Sequence, residues 1–217
     1  METVELFTRQ HINSIYEIKN KGFMTNKEVY VRLHMGKDAN YFIERYKNFM
    51  TLAEKRLPKP KYADFPIWTS ISKNNCLKPV PNSLVYCLTV PKEEVIYFDG
   101  MKWDYVLNYL YIPIDTEDAE SHKAELDRLG IESEHYIING KYKGWFPQLE
   151  QKIRVSWDRI FTIDTWNDFN VQANLWQIKK EWITRILYVG DNIFEESDPN
   201  LTFDQIYENI KERTIVQ

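Results

Sequence analysis

The sequence predicts a single mixed α+β domain, and three observations carry that prediction. Apolar stripes recur at helical spacing, short β-branched and aromatic runs are bounded by Pro, Gly and Asn, and no linker or low-complexity segment separates them. At 217 residues the chain is long enough to bury one sizeable core. Its 43% hydrophobic, 15% aromatic and 28% charged residues describe a globular protein, not a disordered one.

The first predicted element is a strand over residues 4–8. Ile12, Ile15, Tyr16 and Ile18 then recur at helical spacing, with Lys21-Gly22 as the stop. Residues 29–33 carry a weaker pattern. Asp38 is placed to cap a helix whose Phe42, Tyr46, Phe49, Met50, Ala53 and Leu57 form one stripe, ended by Pro58 and Pro60. Residues 67–71 read as a strand and 73–82 as a polar loop.

Residues 84–90 and 95–98 read as two strands around a turn at Pro91, followed by a short helix from Trp103 to Leu110. Thr116 can cap a helix ending at Gly130. Asn139-Gly140 carries a hairpin signal, and Pro147 opens a helix reaching Phe161. The stretch 171–189, VQANLWQIKKEWITRILYV, reads as two strands joined by a tight charged turn. Its Ile178-Lys-Lys-Glu-Trp-Ile183 matches Val90-Pro-Lys-Glu-Glu-Val95 in length and character, which predicts two strand pairs of similar shape. Thr202 and Gln205 form a capping box for a last helix through Arg213.

Several chemistries find no support. The seven glycines, at 22, 36, 100, 130, 140, 144 and 190, make no phosphate-cradling loop. The four histidines and two cysteines, Cys76 and Cys87, lack metal-ligand spacing, so no metal is expected. A net charge of -4 argues against a protein-wide field for nucleic acid. The absence of a long apolar run and of a secretory pattern predicts a cytoplasmic protein with no membrane partner.

LFTRQ at 6–10, PIWTS at 66–70, VPKEEVIYFDGMKWDYVLNYLYIP at 90–113, SWDRIF at 156–161 and VQANLWQIKKEWI at 171–183 together resemble an uncharacterised family of small bacterial domains. A more distant similarity is to the ADP-ribosyltransferase superfamily. It rests on an early strand with Arg9, a later one with Thr69-Ser70, and a final pair beginning Gln172-Ala173-Asn174.

That resemblance implies a split, strongly twisted β core flanked by helices, spanning 1–217 with 191–217 as a C-terminal helical extension. It also implies NAD as substrate, with ADP-ribose passed to a protein or nucleic-acid acceptor in a bacterial or phage conflict setting. Arg9 would grip the cofactor, with Thr8, Thr69, Trp68 and Tyr105 around it. Ser70 would support the ribose side, Gln172 orient the acceptor, and Asn174 occupy the catalytic-acid position.

The chemistry explains these residue types: a guanidinium holds phosphate, and a carboxylate stabilises positive charge developing on the ribose. Here the sequence departs from the Gln-x-Glu pattern. Asn174 is a neutral amide, and losing such a carboxylate costs on the order of 10² to 10⁴ in rate. Three readings follow: another acid such as Glu181 or Asp104 substitutes, the triplet is displaced, or the scaffold is a non-catalytic nucleotide-binding or protein-interaction module. The same residues also have structural readings, Arg9 as an ion-pair partner and Thr69 and Ser70 as hydroxyls satisfying backbone.

Overall fold

The computed structural model describes residues 2–195, 198 and 201–215, so parts of the expected 191–217 extension lie outside the described residues. The chain divides into two compact units, one formed by 1–97 with 167–217 and the other by 98–166.

In the first unit, β1 (Thr3–His11) leads into α1 (Ser14–Lys21), β2 (Phe23–Met24), α2 (Glu28–Met35), α3 (Ala39–Ala53), β3 (Ile67–Ser70) and β4 (Ser83–Pro91). β5 (Ile96–Asp99) crosses the boundary between the units. The chain returns with β6 (Val171–Leu175), β7 (Ile178–Lys179), β8 (Ile183–Leu187) and α8 (Phe203–Ile215). Six strands form one sheet in the order β5-β6-β3-β1-β4-β8, and β2 pairs with β7 apart from it.

β1 is antiparallel to β4 along nine residue pairs, from Thr3 with Pro91 to His11 with Ser83. To β3 it has one pair, Phe7 with Ser70. The sheet therefore splits between β1 and β3, and the α+β class with a split core is the observed architecture.

Side chains alternate across a strand, so register sorts them into two faces. Leu6, Tyr86, Leu88, Ile67, Ala173 and Ile186 share one face, which α1 covers with Ile15 and Ile18 and α8 with Phe203, Ile206 and Ile210. α8 is thus part of the core. Its capping box forms as expected, with Thr202 N donating to Gln205 Oε1 at 2.8 Å. Phe7, Val85, Cys87 and Leu187 lie on the other face. Where both faces are covered, at Leu6, Phe7 and Thr8, three successive residues are buried.

The two expected strand pairs are not pairs. β6 and β8 are separated in the sheet by β3, β1 and β4, and β4 and β5 by β1, β3 and β6. Each charged turn is instead a single 3₁₀ turn: at Lys92–Glu94 the chain passes from β4 to β5 at the far edge of the sheet, and at Lys180–Trp182 it passes from β7, paired with β2, to β8 of the six-stranded sheet. Lys179 links the two turn regions through Glu94 at 3.0 Å.

A short connection implies neighbouring strands only in a flat sheet. Four strand spacings amount to about 19 Å, whereas the five steps from Pro91 to Ile96 reach at most about 17 Å. Strong curvature brings the strand ends together, and sequence periodicity does not report curvature.

The second unit holds α4 (Gly100–Leu107), α5 (Thr116–Leu129), α6 (His135–Asn139) and α7 (Pro147–Ser156), ending in a 3₁₀ turn over Trp157–Phe161. The Asp99 carboxylate caps α4 by accepting from Met101 N at 2.9 Å. Asp115, not Thr116, caps α5, accepting from Asp118 N at 2.8 Å. Ser156 stitches the unit, accepting from Ile112 N at 2.9 Å and donating to Ile153 O at 2.7 Å.

The Asn139-Gly140 hairpin is a further correction: residues 135–139 are helical and Gly140 is extended, with φ -165°. Ile137 and Ile138 are buried, and that burial outweighs the local turn preference. Gly140 is there for close approach, since an added Cβ would lie 2.8 Å from Tyr136 Cα. Among the described residues, no helix is long and apolar enough to cross a membrane.

Gly140→Ala is expected to destabilise the protein by about 1–3 kcal/mol through overpacking against the Tyr136 backbone, as read by chemical denaturation.

Candidate functional site

A cleft of ≈ 490 Å³ opens in the first unit where the sheet splits. It is lined by Phe7, Thr8, Arg9 and Gln10 of β1, Asn26, Ile67 to Ser70 of β3, Asn75, Leu77, Asp168, Phe169, Val171 and Gln172. Arg9 is the one cation and Asp168 the one acid among these residues.

The register places five of the expected site residues on one face. Phe7 opposite Ser70, and Ser70 opposite Gln172, place Arg9, Trp68, Ser70, Gln172 and Asn174 on one face of three adjacent strands. Arg9 and Gln172 are exposed there, and Ser70 and Trp68 are half-buried. Among the described residues, the Arg9 guanidinium makes one hydrogen bond, to Lys78 O at 3.2 Å, and no ion pair. Trp68 is braced from below by α3, its ring 5.1 Å from that of Phe49 and 5.5 Å from that of Tyr46.

Other expected site residues are engaged in holding the strands. Thr8 Oγ1 donates to Trp68 O at 2.7 Å and so bonds β1 to β3, whereas Thr69 Oγ1 donates to Ala173 O at 2.8 Å and bonds β3 to β6. Both threonines line the cleft, but these hydroxyls are spent on backbone.

Asn174 does not reach the cleft. It is fully buried, and in the orientation that matches donors to acceptors its amide nitrogen donates to Ile67 O at 3.3 Å and Ala173 O at 3.0 Å. A carboxylate could not make those two bonds, so the neutral amide has a structural cause. Tyr105 lies on α4 in the second unit, 40% exposed, and is not among the lining residues. Neither Glu181 nor Asp104 lines the cleft.

The sequence reading missed Gln10, Asn26, Leu77, Asp168 and Phe169. The available signal was an aromatic set in a polar turn, TWNDFN at 165–170, just ahead of β6. Asn167 Oδ1 accepts from Phe169 N at 3.0 Å and Asn170 N at 2.9 Å, which shapes this turn. The turn leaves Phe169 77% exposed, and Leu77 is 59% exposed.

Burial disfavours the thiolate form at both cysteines. Burial pushes the Cys76 thiol up to about 11 against the opposing pull of Arg9, and Cys87 up to about 12 against Arg185. Among the described residues, no group of three or more His, Cys, Asp or Glu converges as a metal site.

Two outcomes follow from these environments. Asn174→Asp should lose about 3–5 kcal/mol of stability at pH 7, because an unpaired charge would be buried against two carbonyls. Its folded-state pKa would lie above the unfolded value of about 3.9, so the charge penalty grows as pH rises from there and is complete only above the folded value. That penalty shrinks as pH falls through the folded value, which denaturation at a series of pH values reads. Alkylation of Cys76 at pH 8 should run about 10²-fold slower in the folded than in the unfolded protein, as measured by mass spectrometry.

No curated protein and no solved structure matches the chain. The model of a family described as Domain of unknown function (DUF3841) matches residues 5–184, a span that includes every residue lining the cleft. The chain therefore belongs to the DUF3841 family.

Proposed function

We propose that the cleft between β1, β3 and β6 binds NAD and that the protein is ADP-ribosyltransferase-like, transferring ADP-ribose to a protein or nucleic-acid acceptor. The observation that carries this reading is the convergence of Arg9, Ser70 and Gln172, from three adjacent strands, on one cleft. At ≈ 490 Å³ its size falls within the range of small-molecule sites, about 300–1,000 Å³. Arg9 is suited to a phosphate or ribose oxygen, and the exposed ring of Phe169 to stacking on a base or nicotinamide. A cytoplasmic location and a role in bacterial or phage conflict belong to the same reading.

A second reading, a non-catalytic nucleotide-binding module, is favoured by one observation: β6 carries no carboxylate, and Asn174 is committed to the strand backbone. Both readings require NAD or a related nucleotide in the cleft, and they differ in turnover.

Calorimetry with NAD tests the shared claim. Arg9→Ala is expected to weaken binding about 10- to 150-fold, the loss of one charge-assisted contact of about 1.5–3 kcal/mol. Unchanged affinity removes Arg9 from the site, and no binding at millimolar NAD rejects the transferase reading. Transfer of labelled ADP-ribose to lysate protein or nucleic acid separates enzyme from binder.

A further inference from the structure

We infer that Asp168 is the catalytic carboxylate of the cleft, in the turn before β6 and not within the strand; the inference rests on the proposed NAD reading. Asp168 is the one acid among the lining residues. It is exposed, and among the described residues its carboxylate takes part in no hydrogen bond or ion pair, so it is available to a ligand.

Its backbone is held. Ser70 Oγ donates to Asn75 O at 3.1 Å, and Asn75 Nδ2 donates to Asp168 O. Asn167 fixes the same turn from the other side, and Val171 N donates to Asn167 O at 3.0 Å. An unanchored loop acid would be an ordinary solvated surface group. This one is tied through Asn75 to Ser70, the residue at the seam between β1 and β3.

In the reaction, the bond between the ribose C1′ and the nicotinamide nitrogen breaks, and its electron pair leaves with neutral nicotinamide. Positive charge develops at C1′ and its ring oxygen, and the Asp168 carboxylate stabilises it. An acceptor oxygen or nitrogen, or water in hydrolysis, forms the new bond to C1′. The proton it loses passes to Asp168 and then to solvent. Arg9 and Asp168 supply opposite charges to the two ends of one substrate, the phosphates and the reacting ribose.

The test is nicotinamide release from NAD by the full chain, followed by chromatography, beside calorimetry with NAD. Asp168→Asn and Asp168→Ser are compared with the wild type, and thermal unfolding confirms their fold. The expected result is a 10²- to 10⁴-fold loss of kcat in both variants, with NAD affinity within about threefold of wild type. Turnover retained within about threefold in a folded variant overturns the assignment and leaves the proposed function standing. NAD binding without any nicotinamide release by the wild type also overturns it, in favour of the binding module. Failure of the wild type to bind NAD removes the underlying reading and this inference together.

Discussion

The pairing of β1 governs the rest of the structure. Nine residue pairs fasten it to β4, and one fastens it to β3. A strand held fully on one side and at a single point on the other makes a sheet that is rigid in one half and splayed in the other. The cleft occupies the splay. Its position follows from where backbone hydrogen bonding stops, and the two threonine hydroxyls keep the opening from running further. Thr8 reaches the Trp68 carbonyl and Thr69 the Ala173 carbonyl, so side chains supply bonds to neighbouring strands where the ladder is short.

That arrangement divides the polar residues of the site into two groups. Thr8, Thr69 and Asn174 face backbone carbonyls and are consumed in building the sheet. Buried amides and hydroxyls must be paired, and these are. Arg9, Gln172 and Asp168 are exposed at the cleft and remain available to a ligand. The neutral residue at 174 has a structural role in the strand backbone. Its surroundings offer two acceptors and ask for a donor, and only an amide of this size supplies one to each.

The two similar charged segments have a comparable logic. In each, a strand ends, one 3₁₀ turn follows, and the next strand lies at an edge of the six-stranded sheet, β5 at one edge and β8 at the other. The similarity between them is real, but what they share is a 3₁₀ turn between strands that are not neighbours, and not a hairpin. Lys179 and Glu94 then tie the two regions together.

The sequence by itself placed the long strands and most helices of the first unit, but not β2, α2 or β7. Ile15 and Ile18 declare their side through helical period, and the capping box at Thr202 and Gln205 is local chemistry. The family resemblance pointed to Arg9, Trp68, Ser70 and Gln172, which alternation and register bring to one face. Only the tertiary structure decided which strands lie together, that Asn139-Gly140 is no hairpin, and that Asp168 and Phe169 belong to the cleft while Tyr105 is not among its lining residues. The physical reason is the same throughout: side-chain periodicity is carried by neighbours along the chain. Strand order and curvature are set by groups distant in sequence, as the threonine bonds spanning 60 and 104 residues, Thr8 with Trp68 and Thr69 with Ala173, show.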